Sequence, residues 1–219
     1  MNKAKGIVLI GIASFFAFYF IGCKKDPILK SYEPTAFILS KPQTFLPFLP
    51  VNDNPLTEEG VELGRMLFYD TKLSKDDSQS CASCHRQEHG FSDTARFSIG
   101  VENLPGKRQA MAVFNMAWHE NEFFWDGRAH LLRDQSLMPI QDPLEMNETL
   151  ANVIEKLSNE KTYRDQFSRA FGSTEITAEK ISLALEQFMM SIVSSDSKYD
   201  KSFRRSKFKN ILCLYVSPS

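Results

Sequence analysis

Several classes of protein are excluded by what this sequence lacks. Its 219 residues contain only four cysteines, which is too few for a disulfide scaffold, and no internal repeat. With 26 basic and 27 acidic residues the net charge is -1, so neither a nucleic-acid footprint nor an acidic tail is present. No alternating apolar and polar pattern of useful length indicates a strand. What remains is the composition of one globular domain with a sizeable core.

The N-terminus has the features of an export signal. Lys3 and Lys5 precede the uncharged segment 7–21, which is too short to span a membrane comfortably. We therefore predict that residues 1–22 are a signal peptide of the lipoprotein type. The residues before Cys23 resemble a lipobox, so Cys23 is predicted to be lipidated, with simple secretion or an uncleaved anchor as alternatives. The protein is expected in the periplasm, anchored to a bacterial membrane.

The most specific motif is Cys81-Ala82-Ser83-Cys84-His85, the attachment signature of c-type haem. Two thiols at this spacing can add to the two vinyl groups of one porphyrin, and the next residue, His85, then ligates the iron. A Cys-x-x-Cys pair also suits zinc or thiol exchange. However, no second Cys/His pair has zinc spacing, and the residues before Cys81 read as a loop. The motif therefore predicts one covalent haem c.

Apolar periodicity predicts helices on both sides of this motif. Thr57 is expected to cap the first helix and Thr177 the last long one. The run from Thr162 to Asp165 resembles a capping box, and Gly172 can close the helix that follows it. Residues 71–115 show little periodicity and are predicted to be an ordered loop over the haem. The predicted fold class is all-α, a cytochrome c-like helical domain with long loops.

The predicted domain organisation has four parts. Residues 1–22 form the leader, residues 23–54 a proline-interrupted tether or extended lead-in, and residues 55–205 the haem domain. Residues 206–219 are an atypical tail at a probable truncation point. Cys213, in that tail, has no evident role.

The coordination position of the iron opposite His85 is either filled by a second protein ligand or left open. A filled position is typical of electron carriers, and an open one is typical of enzymes. His89, His119 and His130 are formal ligands, although each could be an ordinary surface histidine. Methionines on helical stripes are better explained as core residues. They are Met66, Met189 and Met190.

Taken together, the motifs resemble those of the bacterial di-haem cytochrome c peroxidase family, including its methylamine-utilisation branch. The likeness covers roughly residues 45 to 205, the peroxidatic N-terminal half of that family. The matching motifs are Leu63–Asp70, Leu73–Ser74, Cys81–His85, Gly90–Asp93, Ser98–Gly100, Phe114–Asn115, Phe124–Ala129, Gln135 and Pro143–Met146.

The resemblance implies roles for residues that spacing alone would not single out. Glu145 matches the distal acid/base that moves a peroxide proton, and Gln135 matches the amide that positions peroxide or water. Trp125 matches the aromatic residue between the two haems of the family, which suggests an electron route. Asp126 and Arg128 are expected to form a local ion pair in the turn.

Three departures from the family pattern limit what can be carried over. Val101 stands where typical members have a histidine that ligates the distal iron, so the resemblance implies a site open to peroxide at rest. Gln109 replaces an asparagine of the family's calcium site, which weakens the expectation of calcium. A second Cys-x-x-Cys-His motif is missing, and a separate C-terminal haem half is a possible partner.

The sequence therefore predicts a haem c peroxidase domain that reduces hydrogen peroxide to water. Its electrons would come from a small periplasmic cytochrome or cupredoxin. One alternative is a mono-haem electron-transfer or haem-sensing module. Another is an inactive fragment of a di-haem peroxidase that lacks its electron-entry domain.

Overall fold

The computed structural model describes residues 32–40, 42, 45 and 53–202. These residues fall in one compact unit that begins at Tyr32. The predicted signal peptide, the lipidation site Cys23 and the tail 206–219 lie outside the described residues. Within the part that the structure describes, no helix is long and apolar enough to cross a membrane.

The described chain is helical and contains no strand, only isolated bridges between single residues. Short 3-10 turns lie at Thr71–Leu73, Gln87–His89 and Met116–Trp118. The all-α prediction is thus confirmed. The α-helices are α1 (Glu58–Tyr69), α2 (Cys81–Cys84), α3 (Leu132–Gln141), α4 (Leu150–Ser158), α5 (Lys161–Phe171) and α6 (Ala178–Ser191).

Three of the predicted helix ends are confirmed. The hydroxyl of Thr57 accepts a hydrogen bond from a first-turn amide of α1 at 3.0 Å, and Thr177 does the same for α6 at 3.2 Å. Gly172 ends α5 in the left-handed conformation, with φ of 71°, which glycine adopts without a Cβ penalty.

The predicted capping box at Thr162–Asp165 is wrong. Helix α5 already begins at Lys161, and its cap residue is Glu160, whose backbone is extended and whose side chain makes no capping bond. Thr162 therefore lies inside the first turn. The acidic residue three positions later instead pairs along the helix surface, where the ammonium of Lys161 contacts the carboxylate of Asp165.

The packing of α1 against α6 forms the centre of the core. Gly64 allows this close approach, because a Cβ added there would overlap the carbonyl oxygen of Ala184 and lie 2.7 Å from Cβ of Phe188. Fully buried side chains surround this contact. They include Leu63, Leu67, Phe68, Ile181 and Leu185.

Helix α3, which was not predicted, packs against α6 and forms one wall of the cleft described below. Pro139 lies inside α3. Proline has no N–H, so it cannot donate the helical hydrogen bond to the carbonyl of Gln135, four residues earlier. Polar residues lie on several faces of α3, so its sequence lacks the apolar periodicity that predicts a helix.

Part of the predicted lead-in is bonded to the helical domain. The amide of Phe37 donates to the carbonyl of Leu56 at 3.0 Å, next to the start of α1. Asn54 is 4% exposed and donates to the carboxylate of Glu186 on α6 at 2.7 Å. Gln187 in turn donates to the amide oxygen of Asn54 at 2.8 Å. These bonds fix the entry of the chain into α1.

Candidate haem-binding site

Two adjoining cavities lie between α2, α3 and the loop at 98–111. Their volumes are about 370 and 400 Å³, within the range typical of small-molecule and cofactor sites. The first is edged by charged residues such as Lys107 and Arg128, and the second by apolar ones such as Leu185. Both are lined by the same central group, so they are two lobes of one cleft. That group is Cys84, His85, Met111, Phe124, Trp125, Gln135, Pro139 and Glu145.

Helix α2 presents the two cysteines to this cleft. It is a single turn whose start is fixed by a capping box between Ser80 and Ser83. Cys81 lines the apolar lobe and Cys84 lines both lobes, and both thiols are free. Burial raises the pKa of the Cys81 thiol to about 12, and burial likewise raises the pKa of Cys84. Two protonated, unpaired thiols thus face one cavity.

The imidazole of His85 is held through one nitrogen. Its Nδ1 lies 3.1 Å from the carbonyl oxygen of Phe91 and 2.9 Å from that of Met111, so Nδ1 carries the proton and donates. Among the described residues, Nε2 has no partner. Burial lowers the pKa of His85, which keeps the ring neutral and its Nε2 lone pair available to a metal.

The carbonyl of Phe91 is aimed at His85 by an uncommon backbone conformation. Phe91 has φ of 54°, in the left-handed region that is unfavourable for an aromatic residue. Its amide donates to Arg86 at 2.8 Å, and its carbonyl also accepts from the amide of Val113 at 3.1 Å. These bonds hold the turn and hence the orientation of the imidazole.

A tight turn after α3 presents Glu145. The Asp142 carboxylate accepts from the amide of Leu144 at 2.8 Å, and its carbonyl accepts from the amide of Glu145 at 2.9 Å. The carbonyl of Glu145 accepts from the amide of Val101 at 2.9 Å. Gly100 makes this approach possible, since a Cβ there would overlap the carbonyl of Leu144. The backbone of Glu145 is therefore fixed on two sides.

Glu145 is an exposed residue that lines both lobes of the cleft. Its carboxyl makes no hydrogen bond with any residue that the structure describes. Desolvation raises its pKa, the nearby Asp142 carboxylate raises it further, and the Arg128 guanidinium opposes both. A carboxyl whose pKa is raised holds a proton more readily than an ordinary carboxyl, which suits an acid/base group.

Gln135, on α3, lines both lobes together with Glu145. Within the described part of the chain its side-chain amide has no hydrogen-bond partner. An amide in this position can both donate to and accept from a small ligand in the cleft.

Trp125 lines both lobes, but 64% of its surface is exposed. Its indole N–H donates to the carbonyl of Gln109 at 3.0 Å. The expected ion pair is confirmed: Arg128 contacts Asp126 at 2.9 Å and also lies over the ring of Phe124. The sequence did not reveal that Arg108 also pairs with Asp126, at 2.8 Å, because this contact crosses between loops.

The other candidate iron ligands are scattered. His89 is exposed on a short turn, and His130 is on the surface, where Nδ1 contacts Glu122 at 2.7 Å. His119 is exposed at the edge of the apolar lobe. Met189 also lines that lobe, whereas Met66 and Met190 line neither lobe.

The residues present fit a covalent haem c. Two free thiols and one imidazole nitrogen, which has no partner among the described residues, meet at a cleft that has one apolar and one polar lobe. A porphyrin has a matching division between its apolar ring and its propionates. The described residues contain no group of three or more His, Cys, Asp or Glu side chains arranged for a metal ion.

Comparisons with known proteins agree with this geometry. The family model described as di-haem cytochrome c peroxidase matches residues 58–207. The methylamine utilization protein MauG of Methylorubrum extorquens is 42% identical over 68% of this chain and 42% of its own length. The cytochrome c551 peroxidase of Nitrosomonas europaea is 38% identical over 67% of this chain and 44% of its own length.

A solved structure has the same fold. The crystal structure of a MauG-like protein associated with microbial copper homeostasis matches with a TM-score of 0.71 and 32% sequence identity. The match covers 78% of this chain and 51% of that protein. The chain thus spans less than half the length of the two curated relatives described above.

Proposed function

Since this chain belongs to the di-haem cytochrome c peroxidase family, we propose that it is a haem c domain that reduces hydrogen peroxide to water. The overall reaction is H2O2 + 2 e⁻ + 2 H⁺ → 2 H2O. One observation carries the proposal. The carboxyl of Glu145 and the amide of Gln135 line the same cleft as Nε2 of His85, and none of the three has a hydrogen-bond partner among the described residues.

The cofactor would be held by three residues of the chain. Cys81 and Cys84 would form the thioether bonds, and Nε2 of His85 would ligate the iron. A haem bound in this way supplies an iron that binds peroxide and exchanges electrons. The two carbonyls that accept from Nδ1 hold the imidazole in one orientation and one tautomer, as partners of metal-bound histidines commonly do.

The distal residues would handle the protons. Glu145 takes a proton from one peroxide oxygen and returns it to the oxygen that leaves as water, so its raised pKa suits both steps. Gln135 would hold peroxide through its amide and orient the O–O bond.

Electrons would enter from a small cytochrome or cupredoxin in the periplasm. Trp125 is both exposed and in contact with the cleft, which supports a role as a route for these electrons. The same exposed indole suits a docking surface for a separate C-terminal haem half. Lipidation of Cys23 would keep the domain at a bacterial membrane. We propose one covalent haem and no calcium for this chain.

A Glu145→Gln variant tests the proposal. The full chain is exported and matured with haem, and peroxide consumption is followed with a reduced small cytochrome as donor. We expect kcat/KM for peroxide to fall by about 10²–10⁴-fold, the usual contribution of a positioned acid/base group. Glu120→Gln, at an exposed residue that lines neither lobe, is the matched control and should leave the rate unchanged. Equal rates for Glu145→Gln and the parent would contradict the proposal.

An electron-transfer or haem-sensing module is the second candidate, and the thioethers in the cleft favour it. Met111, Met116, Met146 and Met189 all line the apolar lobe, and a thioether can ligate iron opposite a histidine. The optical spectrum of the ferric protein distinguishes the two candidates. A high-spin band supports the peroxidase, whereas a purely low-spin spectrum that peroxide leaves unchanged supports the carrier.

A further inference from the structure

A chain of aromatic rings leads from His85, past Phe68 in the wall of the apolar lobe, to Tyr69 at the protein surface. The ring of Phe68, which is 1% exposed, lies 6.3 Å from the imidazole of His85. The ring of Tyr69 lies 5.5 Å from that of Phe68 and is 41% exposed. Phe188 touches both, at 5.1 and 6.3 Å. Tyr69 itself lines neither lobe of the cleft.

The core fixes the positions of these rings. Phe68 and Tyr69 are the last two residues of α1, and Phe188 is on α6. The two helices approach each other closely at Gly64, one turn before Phe68. All of the ring pairs fall in the distance range of ordinary aromatic contacts, about 4.5–7 Å. The spacing between the rings therefore follows from helix packing.

We propose that Tyr69 is a one-electron relay between the haem site and the surface. Electron transfer weakens steeply with distance, so a short series of packed rings gives a faster route than the same distance through solvent. Tyrosine and tryptophan are also the side chains that most readily lose one electron. Tyr69 is the point at which this route reaches solvent, and the relay rests on peroxide oxidising the haem site as proposed above.

Each relay step balances in electrons and protons. Tyr69 gives one electron, by way of Phe68 and His85, to the oxidised haem site, and it releases its phenolic proton to water. The product is a neutral phenoxyl on Tyr69, and the haem site is reduced by one electron. A donor at the surface then returns one electron while water returns one proton. Two such cycles supply the two electrons that one peroxide consumes.

The other described tyrosines do not share this geometry. Tyr32 is 47% exposed, but its hydroxyl donates to the carbonyl of Ala170, and the described ring contacts of Phe68, Tyr69 and Phe188 do not include it. Tyr163 is 3% exposed and hydrogen-bonded to the carboxylate of Asp70, so it does not reach a donor. Tyr199 is 73% exposed, and among the described residues the ring contacts of Phe68, Tyr69 and Phe188 do not include it. Among the described residues, the hydroxyl of Tyr69 has no hydrogen-bond partner, so its proton can pass directly to water.

The test is a freeze-quench electron paramagnetic resonance experiment on the full haem-loaded chain, labelled with ring-deuterated tyrosine. Peroxide is used in one series and peracetic acid in a second, because a peracid has a better leaving group and depends less on Glu145. We expect a tyrosyl signal in the parent and a spin-trap adduct on Tyr69 by peptide mass spectrometry. Both should be lost in Tyr69→Phe, which keeps the ring packing.

Two further variants separate the route from general effects. Tyr199→Phe is the matched control and should keep the signal and the adduct. Phe68→Leu, checked for an unchanged helical spectrum, should lower the adduct yield severalfold because it removes the ring between His85 and Tyr69. A signal that persists in Tyr69→Phe overturns the relay, as does an adduct on another residue only, or no tyrosyl signal with either oxidant. Oxidation by peracetic acid but not by peroxide would overturn the proposed function and leave the relay standing.

Discussion

Gly64→Ala should weaken the contact between α1 and α6 that supports the proximal side of the site. The added Cβ would overlap the carbonyl oxygen of Ala184 and approach Cβ of Phe188 to 2.7 Å. One obstacle is backbone and the other is the first side-chain carbon, so neither can rotate away. The helices must separate or shift along each other.

The expected size of the effect follows from two opposing contributions. Overpacking a core costs about 1–3 kcal/mol, and a clash with backbone belongs at the upper end of that range. Alanine gains roughly 1 kcal/mol over glycine in a helix interior. The net loss in the free energy of unfolding is therefore about 2 kcal/mol, which corresponds to about 4–8 °C in Tm for a domain of this size.

Urea unfolding followed by circular dichroism measures this change, provided that the m-value is the same in both proteins. Gly106→Ala is the matched control, because the nearest atom to its added Cβ is a carbonyl oxygen at an ordinary 3.5 Å. It should change the free energy of unfolding by no more than about 0.5 kcal/mol. A Gly64→Ala chain as stable as the parent would refute the close packing of α1 on α6.

Three further changes test the frame around the site by urea unfolding. Asn115 has φ of 59°, and its side-chain amide makes two 2.8 Å hydrogen bonds with the backbone of Ser194. Asn115→Ala should therefore lower the free energy of unfolding by about 2 kcal/mol, and Asn115→Gly by roughly half of that, because glycine adopts a positive φ freely. Equal losses in the two variants would exclude a backbone contribution. Lys156 contacts the buried carboxylate of Glu148 at 2.8 Å, and Lys156→Met should cost about 3 kcal/mol. Desolvation raises the pKa of Glu148, but hydrogen bonds from Lys156 and from neighbouring amides outweigh it and lower the pKa. The stability that Glu148 contributes is therefore present above its ordinary pKa and lost as the pH falls through the lowered one, and this acid dependence should shrink in Lys156→Met. Thr177→Ala removes the cap of α6 and should cost about 1 kcal/mol, whereas Thr177→Ser should be close to the parent.

The parts of the fold that could be predicted depend on local interactions. The caps at Thr57 and Thr177 act within one turn, and the left-handed end at Gly172 needs only glycine itself. Helix α3 was missed because its stability comes from packing against α6. In addition, Pro139 and the polar residues of α3 interrupt the apolar pattern that would predict a helix. Similarly, the start of α5 at Lys161 depends on the chain's turn after α4 and not on a side-chain cap.

The same division holds within the site. Cysteine spacing predicts that both thiols face one ligand, and they do line one cleft. In contrast, the hydrogen-bond partners of His85 are the backbone carbonyls of Phe91 and Met111. Every residue type has a backbone carbonyl. No sequence pattern identifies them. Phe68 reads as an ordinary core residue, and only the packed structure shows its ring against His85.

Some polar groups that line the cleft have hydrogen-bond partners in the described protein and others do not. This difference indicates which kind of ligand the cleft can bind. Among the described residues, no fully buried side-chain nitrogen or oxygen lacks a hydrogen-bond partner. The carboxyl of Glu145 and the amide of Gln135 escape that requirement only because they face the open cleft. Nδ1 of His85 is already satisfied by two carbonyls, so only its Nε2, which has no partner among the described residues, is left for a ligand. An apolar ligand would bury Glu145 and Gln135 without partners at a cost of about 1–3 kcal/mol each, whereas a small molecule that both donates and accepts hydrogen bonds, as peroxide does, avoids this cost.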